Sequence, residues 1–154
     1  VATIDWHTST PGSGDISASS MVSDFSLDGL RKIVWHTGPN PCMAVYYPVF
    51  FHHYHDGAVS ALPPFLAEGH AWYSFRYVAY ELAKEDPVKI KRVQDTWRPL
   101  QMQFFKLAEE GAIMASQMPD ATAAAQLLDN VVSNVSETIR MTLLHLNQTL
   151  AMVE

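Results

Sequence analysis

The densest run of side chains able to bind a metal is His52-His53-Tyr54-His55. His52 with His55, or His53 with His55, offers neutral imidazole nitrogens to zinc or copper. A zinc site needs a third and a fourth ligand. Asp56 is adjacent and His70 lies further along, but no HExxH or CxxC pattern accompanies them. The run therefore reads as a polar loop after a buried strand, and no metal is assigned. Cys42 is the single cysteine, and with a histidine base it would be a nucleophile. Its setting, PNPCMAV, opens an apolar segment, so the expectation is a buried structural thiol. Ser19 and Ser20 lack the GxSxG frame of a nucleophile elbow, and no GxGxxG or GxxxxGK[ST] loop is present to cradle phosphate. Glu109-Glu110 falls on the solvated side of a helical pattern. Trp72, Tyr73, Phe75, Tyr77 and Tyr80 recur at helical spacing and, with Trp97, Phe104 and Phe105, read as a helix-to-sheet contact rather than a ligand box.

The elements that must position these residues change character near residue 66. Val1 to His7 reads as a strand, and Thr8 to Asp15 as a loop by its turn chemistry. Ile16 to Phe25 alternates as a strand of small residues, with Ser20, Val22 and Asp24 on one face and Met21 and Ser23 on the other. Arg31 to Thr37 is rich in β-formers and is ended by Gly38-Pro39-Asn40-Pro41. Cys42 to Phe51 is apolar on both faces and needs cover on both. His52 to Pro64 is a loop. Glu68 to Lys84 then puts Trp72, Phe75, Val78 or Ala79, and Leu82 on one helical stripe. Asp86-Pro87 fits an N-cap followed by proline, opening a helix to about Gln117. Its expected buried side is Val93, Trp97, Leu100, Phe104, Leu107 and Gly111, and Pro99 is expected to kink or split it. From Ala121 onward, Leu128, Val132, Val135, Ile139, Leu143, Leu146, Leu150 and Val153 mark a last helix.

The order is strands first and three helices after, an α+β arrangement of one unit: a strand-rich part over 1–66 and a helical part over 67–154. Three or four strands, one needing cover on both faces, make a sheet that looks short of partners. The 154 residues suffice for one core. Ten Lys and Arg against 16 Asp and Glu, with the one basic cluster (Lys84 to Arg98) broken by acids, leave no basic face for nucleic acid. No apolar run is long enough to span a membrane. The opening VATIDWHTST shows no signal-peptide pattern, which leaves the compartment open. Asn134 and Asn147 head glycan acceptor triplets, but on a helix pattern rather than a loop, so they read as incidental.

Three segments, in order, resemble the C-terminal part of the dipeptidase A and secernin family of cysteine peptidases. Ala18-Ser19-Ser20-Met21-Val22-Ser23 is similar to that family's "(T/A)xSMV" strand. Trp35-His36-Thr37-Gly38-Pro39-Asn40-Pro41-Cys42 looks like its "TGxPxPxxS" segment, and Val45-Tyr46-Tyr47-Pro48-Val49-Phe50 like "VFxPFxF". His70-Ala71-Trp72-Tyr73 then leads a helical tail at a suitable distance. The match covers about residues 1–85 in order, and the later helices more loosely.

The resemblance implies an N-terminal-nucleophile hydrolase with an αββα sandwich, cleaving short peptides, chiefly dipeptides, without a metal or other cofactor. Its nucleophile is a cysteine exposed as the first residue, whose α-amino group serves as base. Here residue 1 is Val1, which has nothing to attack with, and the matched segments belong to the family's last third. The expectation is therefore a C-terminal subunit or fragment, inactive alone, whose partner is the N-terminal portion of the same enzyme and whose substrate is a short peptide. No catalytic residue is assigned in this chain. His7, Ser20 and His36 are the candidate pocket residues, as polar side chains on sheet-like segments. The competing expectations are a non-catalytic relative that uses its C-terminal helices as an interaction module, and a small metal-binding protein centred on the histidine run. A homo-oligomer is compatible with any of these.

Overall fold

A computed structural model describes residues 20–25, 32–51, 62–83 and 86–152. Three strands form an antiparallel meander in the order β1-β2-β3: β1 (Ser20–Phe25), β2 (Lys32–Thr37) and β3 (Tyr47–Phe50). Helices follow: a short α1 (Pro64–Ala67), α2 (His70–Tyr77), α3 (Pro87–Ser116) and α4 (Ala121–Ala151). The α+β order read from the sequence is the architecture observed. The expected strand over Val1 to His7, the histidine run at 52–55 and His7 itself lie outside the described residues.

Register sorts the sheet into two faces, because directly paired residues point the same way and neighbours alternate. Ser20 pairs with Thr37, Val22 with Trp35 and Asp24 with Ile33, while Trp35 pairs with Pro48 and Ile33 with Phe50. This face meets the helices: Ile33, Trp35, Thr37 and Phe50 are buried, and the Trp35 ring meets Phe105 of α3 edge-on at 4.6 Å between centroids. Met21 pairs with His36, Ser23 with Val34, and His36 and Val34 with Tyr47 and Val49 on the opposite face. Val34 and Tyr47 are buried there too, so β2 and β3 are covered on both sides.

The apolar segment from Cys42 is strand only from Tyr47. Pro41–Met43 is a 3₁₀ turn, entered through Asn40 in the left-handed region at φ 55°. Asn tolerates that conformation better than most side chains. The Asn40 carbonyl accepts from Met43 N–H at 2.8 Å, which closes the turn and delays the strand.

Both long helices begin on an aspartate. Asp86 Oδ1 accepts from Val88 N–H at 2.8 Å and Lys89 N–H at 3.3 Å, with Pro87 at the first helical position. Asp120 Oδ1 accepts from Thr122 N–H at 2.9 Å and Ala123 N–H at 3.4 Å. Each cap satisfies amides that have no intrahelical acceptor. Of the kink or split expected at Pro99, the split does not occur: α3 runs unbroken through it. Pro99 and Asp95, whose carbonyl loses its amide partner, both sit on the exposed side, where water can take the carbonyl. The buried side also differs from the pattern: Leu107 is exposed, and Ala108, Ala112 and Ala115 are buried with Gly111. Small residues are needed there because α4 folds back closely. A Cβ on Gly111 would lie 3.0 Å from Val131 Cγ2. On α4 every expected core residue from Leu128 to Leu150 is buried. The helix expected over Glu68 to Lys84 is observed from His70 as α2, continued by a π-helical turn (Val78–Ala83) whose extra residue per turn keeps Val78, Ala79 and Ala83 all inside.

Sheet and helices meet at Phe75. Its ring is buried, stands 5.7 Å from the Trp97 ring, and lies so close to Gly38 that a Cβ there would be 2.7 Å from Phe75 Cδ2. Gly38→Ala gains about 0.4–1 kcal/mol from a stiffer unfolded chain but loses about 1–3 kcal/mol to overpacking, so overpacking wins. Urea denaturation should show Gly38→Ala destabilised, with a smaller penalty in a Phe75→Leu background. An equal penalty in both backgrounds would contradict this contact.

Candidate functional site

The polar residues of the sheet gather where β2 ends and β3 begins. Tyr46 enters β3 held by Gln101 of α3. The Gln101 Oε1 accepts from Tyr46 N–H at 2.7 Å, and Gln101 Nε2 donates to the Tyr46 carbonyl at 3.2 Å. This amide does for Tyr46 what a neighbouring strand would do, satisfying both backbone groups at once. The Tyr46 hydroxyl then donates to Ser20 Oγ at 2.9 Å. Across the sheet, His36 Nδ1 and the Tyr47 hydroxyl share a hydrogen bond of 2.6 Å, with the rings 5.2 Å apart.

Ser20 and His36, each expected as a pocket residue, therefore stand on opposite faces. Ser20 pairs with Thr37 and bonds to Tyr46, whereas His36 pairs with Met21 and bonds to Tyr47. His36 does not reach the Ser20 hydroxyl, so the two do not make a serine-histidine nucleophile. His7 is outside the described residues. Cys42, expected to be buried, is exposed on the 3₁₀ turn, and its thiol donates to Asn40 Oδ1 at 2.9 Å. The reason is the delayed strand: Pro41 and Met43 turn inward and Cys42 between them turns out.

Burial sets the protonation of the histidine-tyrosine pair. Partial burial lowers the His36 pKa below its ordinary 6.5, so the ring is neutral at pH 7. Burial pushes the Tyr47 phenol up to about 12. The pair thus exchanges a hydrogen bond between neutral groups and carries no charge at neutral pH. On the opposite, helix-facing side Thr37 is fully buried, and among the described residues its Oγ1 has no hydrogen-bond partner, nor has Trp97 Nε1. Among the described residues no group of three His, Cys, Asp or Glu is placed to hold a metal ion. No helix among them is long and apolar enough to cross a membrane.

Tyr46, Tyr47 and Gln101 were not singled out from the sequence. The two tyrosines follow the turn at alternating positions and point to opposite faces, a signal present in the strand pattern. Gln101 lies 55 residues away on a helix, and no local signal joins it to Tyr46. Comparison with protein-family models, curated proteins and solved structures finds no match.

Two outcomes follow. Thr37→Val removes a hydroxyl that is buried without a partner, so its melting temperature should equal or exceed that of the parent; a loss above about 1 kcal/mol would mean the hydroxyl is bonded. For His36, the unfolded chain binds the proton more readily than the folded one. Stability is complete above pH 6.5 and falls as pH drops through 6.5 toward the lower folded value. Urea midpoints at pH 7.5 and pH 5 should therefore fall further for the parent than for His36→Gln. Equal falls would show that His36 titrates alike in both states.

Proposed function

We propose that this chain is the C-terminal portion of a cysteine dipeptidase similar to the dipeptidase A and secernin proteins, with its nucleophilic cysteine on a segment upstream of Val1. The observation that supports the reading is where the three family-like segments fall. Ser20 to Ser23 belong to β1, Trp35 to Cys42 end β2 and make the 3₁₀ turn, and Val45 to Phe50 lead into and form β3. Three consecutive strands of one antiparallel meander are the arrangement the reading requires of these segments. That sheet carries helices on one face, while half-buried His36 and buried Val34 and Tyr47 stand on the other. In an αββα sandwich the second face is the one that meets the other sheet.

In this reading the upstream thiolate attacks the peptide carbonyl carbon and forms a thioester as the amine leaves. Its α-amino group takes the thiol proton and passes it to the amine, and water then hydrolyses the thioester. The described residues supply the outer helical layer and part of one sheet, and none is assigned to the covalent chemistry. In this reading Cys42, which bonds to Asn40 on an exposed turn, takes no part in the covalent chemistry.

The test is to express the natural reading frame upstream of Val1 together with this chain and to assay a dipeptide panel. Hydrolysis should require the upstream portion, vanish on thiol alkylation, and stay within about twofold of the parent in Cys42→Ala. Loss of activity in Cys42→Ala, or no cleavage of any dipeptide, would overturn the proposal.

A further inference from the structure

The outward side of α3 is built almost wholly of cations and apolar side chains. Steps of three and four from Val88 to Lys106 mark this exposed face, which is about 27 Å long. Its cations are Lys91, Arg92, Arg98 and Lys106. Its apolar residues are Val88, Pro99, Met102 and Phe105, with Val88 71 % and Met102 64 % exposed. A solvated helix face ordinarily mixes charges of both signs with neutral polar groups. Here cations and apolar groups alternate instead.

The acids that break this stretch in the sequence leave its charge positive. Asp86 is turned onto α3's own first turn, where its Oδ1 accepts from the Val88 and Lys89 amides. Asp95 is the one carboxylate on the face, and Lys91 Nζ donates to it at 2.6 Å. Lys106 Nζ lies 3.8 Å from Glu110, which stands one turn further on, where the basic stretch ends. Arg92 and Arg98 make no ion pair among the described residues. Residues 88–106 thus hold five of the chain's ten Lys and Arg and one of its 16 Asp and Glu.

From this charge, and from the apolar side chains set among it, we propose that the outer face of α3 binds the surface of an anionic lipid bilayer. The helix lies in the headgroup plane. Arg92, Arg98 and the lysines meet the lipids' anionic groups, while Val88 and Met102 enter the acyl boundary. Such attachment needs no spanning helix, and none among the described residues is long and apolar enough to be one. The formal charge of -6 does not forbid it. A helix is about 10–12 Å across, so acids behind α3 stand beyond the roughly 8–10 Å over which salt screens a charge. Nucleic acid would meet the cations but offers its phosphates no use for Val88 and Met102. A second copy on the same face would set cations against cations across the two-fold axis. The convex side of a single helix also suits a broad surface better than a protruding acidic peptide. The inference uses α3 alone and does not depend on the peptidase reading.

The test is co-sedimentation of the chain with vesicles of phosphatidylcholine alone, and of phosphatidylcholine with phosphatidylserine at about three to one. The chain should pellet with the mixed vesicles only, and added salt should release it. Arg92→Gln and Arg98→Gln should each lower the partition constant about fivefold, whereas Arg92→Lys keeps the charge and should bind like the parent. Met102→Ser should lower it about threefold to tenfold, which separates insertion from purely electrostatic attachment. These side chains are exposed, so the variants should keep the parent's circular dichroism and melting temperature. No pelleting with either vesicle, equal pelleting with both, or capture by polyglutamate or duplex DNA in place of the vesicles would each overturn the proposal. So would unchanged binding in the Arg92→Gln, Arg98→Gln double variant or in Met102→Ser.

Discussion

The contact of Phe75 with Gly38 and Trp97 is the constraint on which the arrangement depends. A glycine at the end of β2 lets an aromatic ring from α2 come closer than any side chain at that position would permit. The same ring leans on Trp97 of α3. One residue thus ties the sheet to two helices. From the end of β2 so held, the chain passes through the Asn40 turn to the entry of β3 and the bonds of Tyr46 and Tyr47. The strands of a three-stranded sheet do not stand alone in water without a face packed on something. Here that face is Ile33, Trp35 and Phe50 against the helical layer.

The helical layer is rigid for a different reason. α3 and α4 meet along Ala108, Gly111, Ala112 and Ala115 on one side and Ala124, Leu128 and Val131 on the other, all buried. Small side chains let the backbones approach, and close approach maximises dispersion contact along two helices of 30 and 31 residues. The aspartate caps start each helix at a defined residue, which sets the register of that seam. Gln101 then carries the register to the sheet by gripping both backbone groups of Tyr46.

Much of this was legible in the sequence, and the failures have physical causes. On the α4 stripe every expected residue from Leu128 to Leu150 is buried, because a helix packed along one face obeys its period, while expected Val153 lies outside the described residues. β1 and β2 were recognised by alternation and by the Gly-Pro-Asn-Pro stop. The start of β3 was placed five residues early, since apolar content does not tell a 3₁₀ turn from a strand; for the same reason Cys42 was expected inside and is exposed. Leu107 was expected in the core, but hydrophobicity says nothing about how close a neighbouring helix comes, and Ala108 takes the buried place. Pro99 was expected to kink or split α3 and does not split it; the carbonyl it frees, that of Asp95, lies on the exposed side where water can take it. The site was less legible than the fold. Ser20 and His36 are both polar residues on strands, but only the pairing register shows that they face apart. Gln101 acts through a partner that no local pattern reveals.

The central claim is that sheet and helices open as one unit because Phe75 locks them together. Native-state amide hydrogen exchange on β2 and on α4 tests it most directly. The account predicts that the amides of Ile33 to Trp35 and those around Ile139 exchange with the same opening free energy, equal to that of global unfolding. Exchange of β2 by a much cheaper opening, with α3 and α4 still protected, would contradict it.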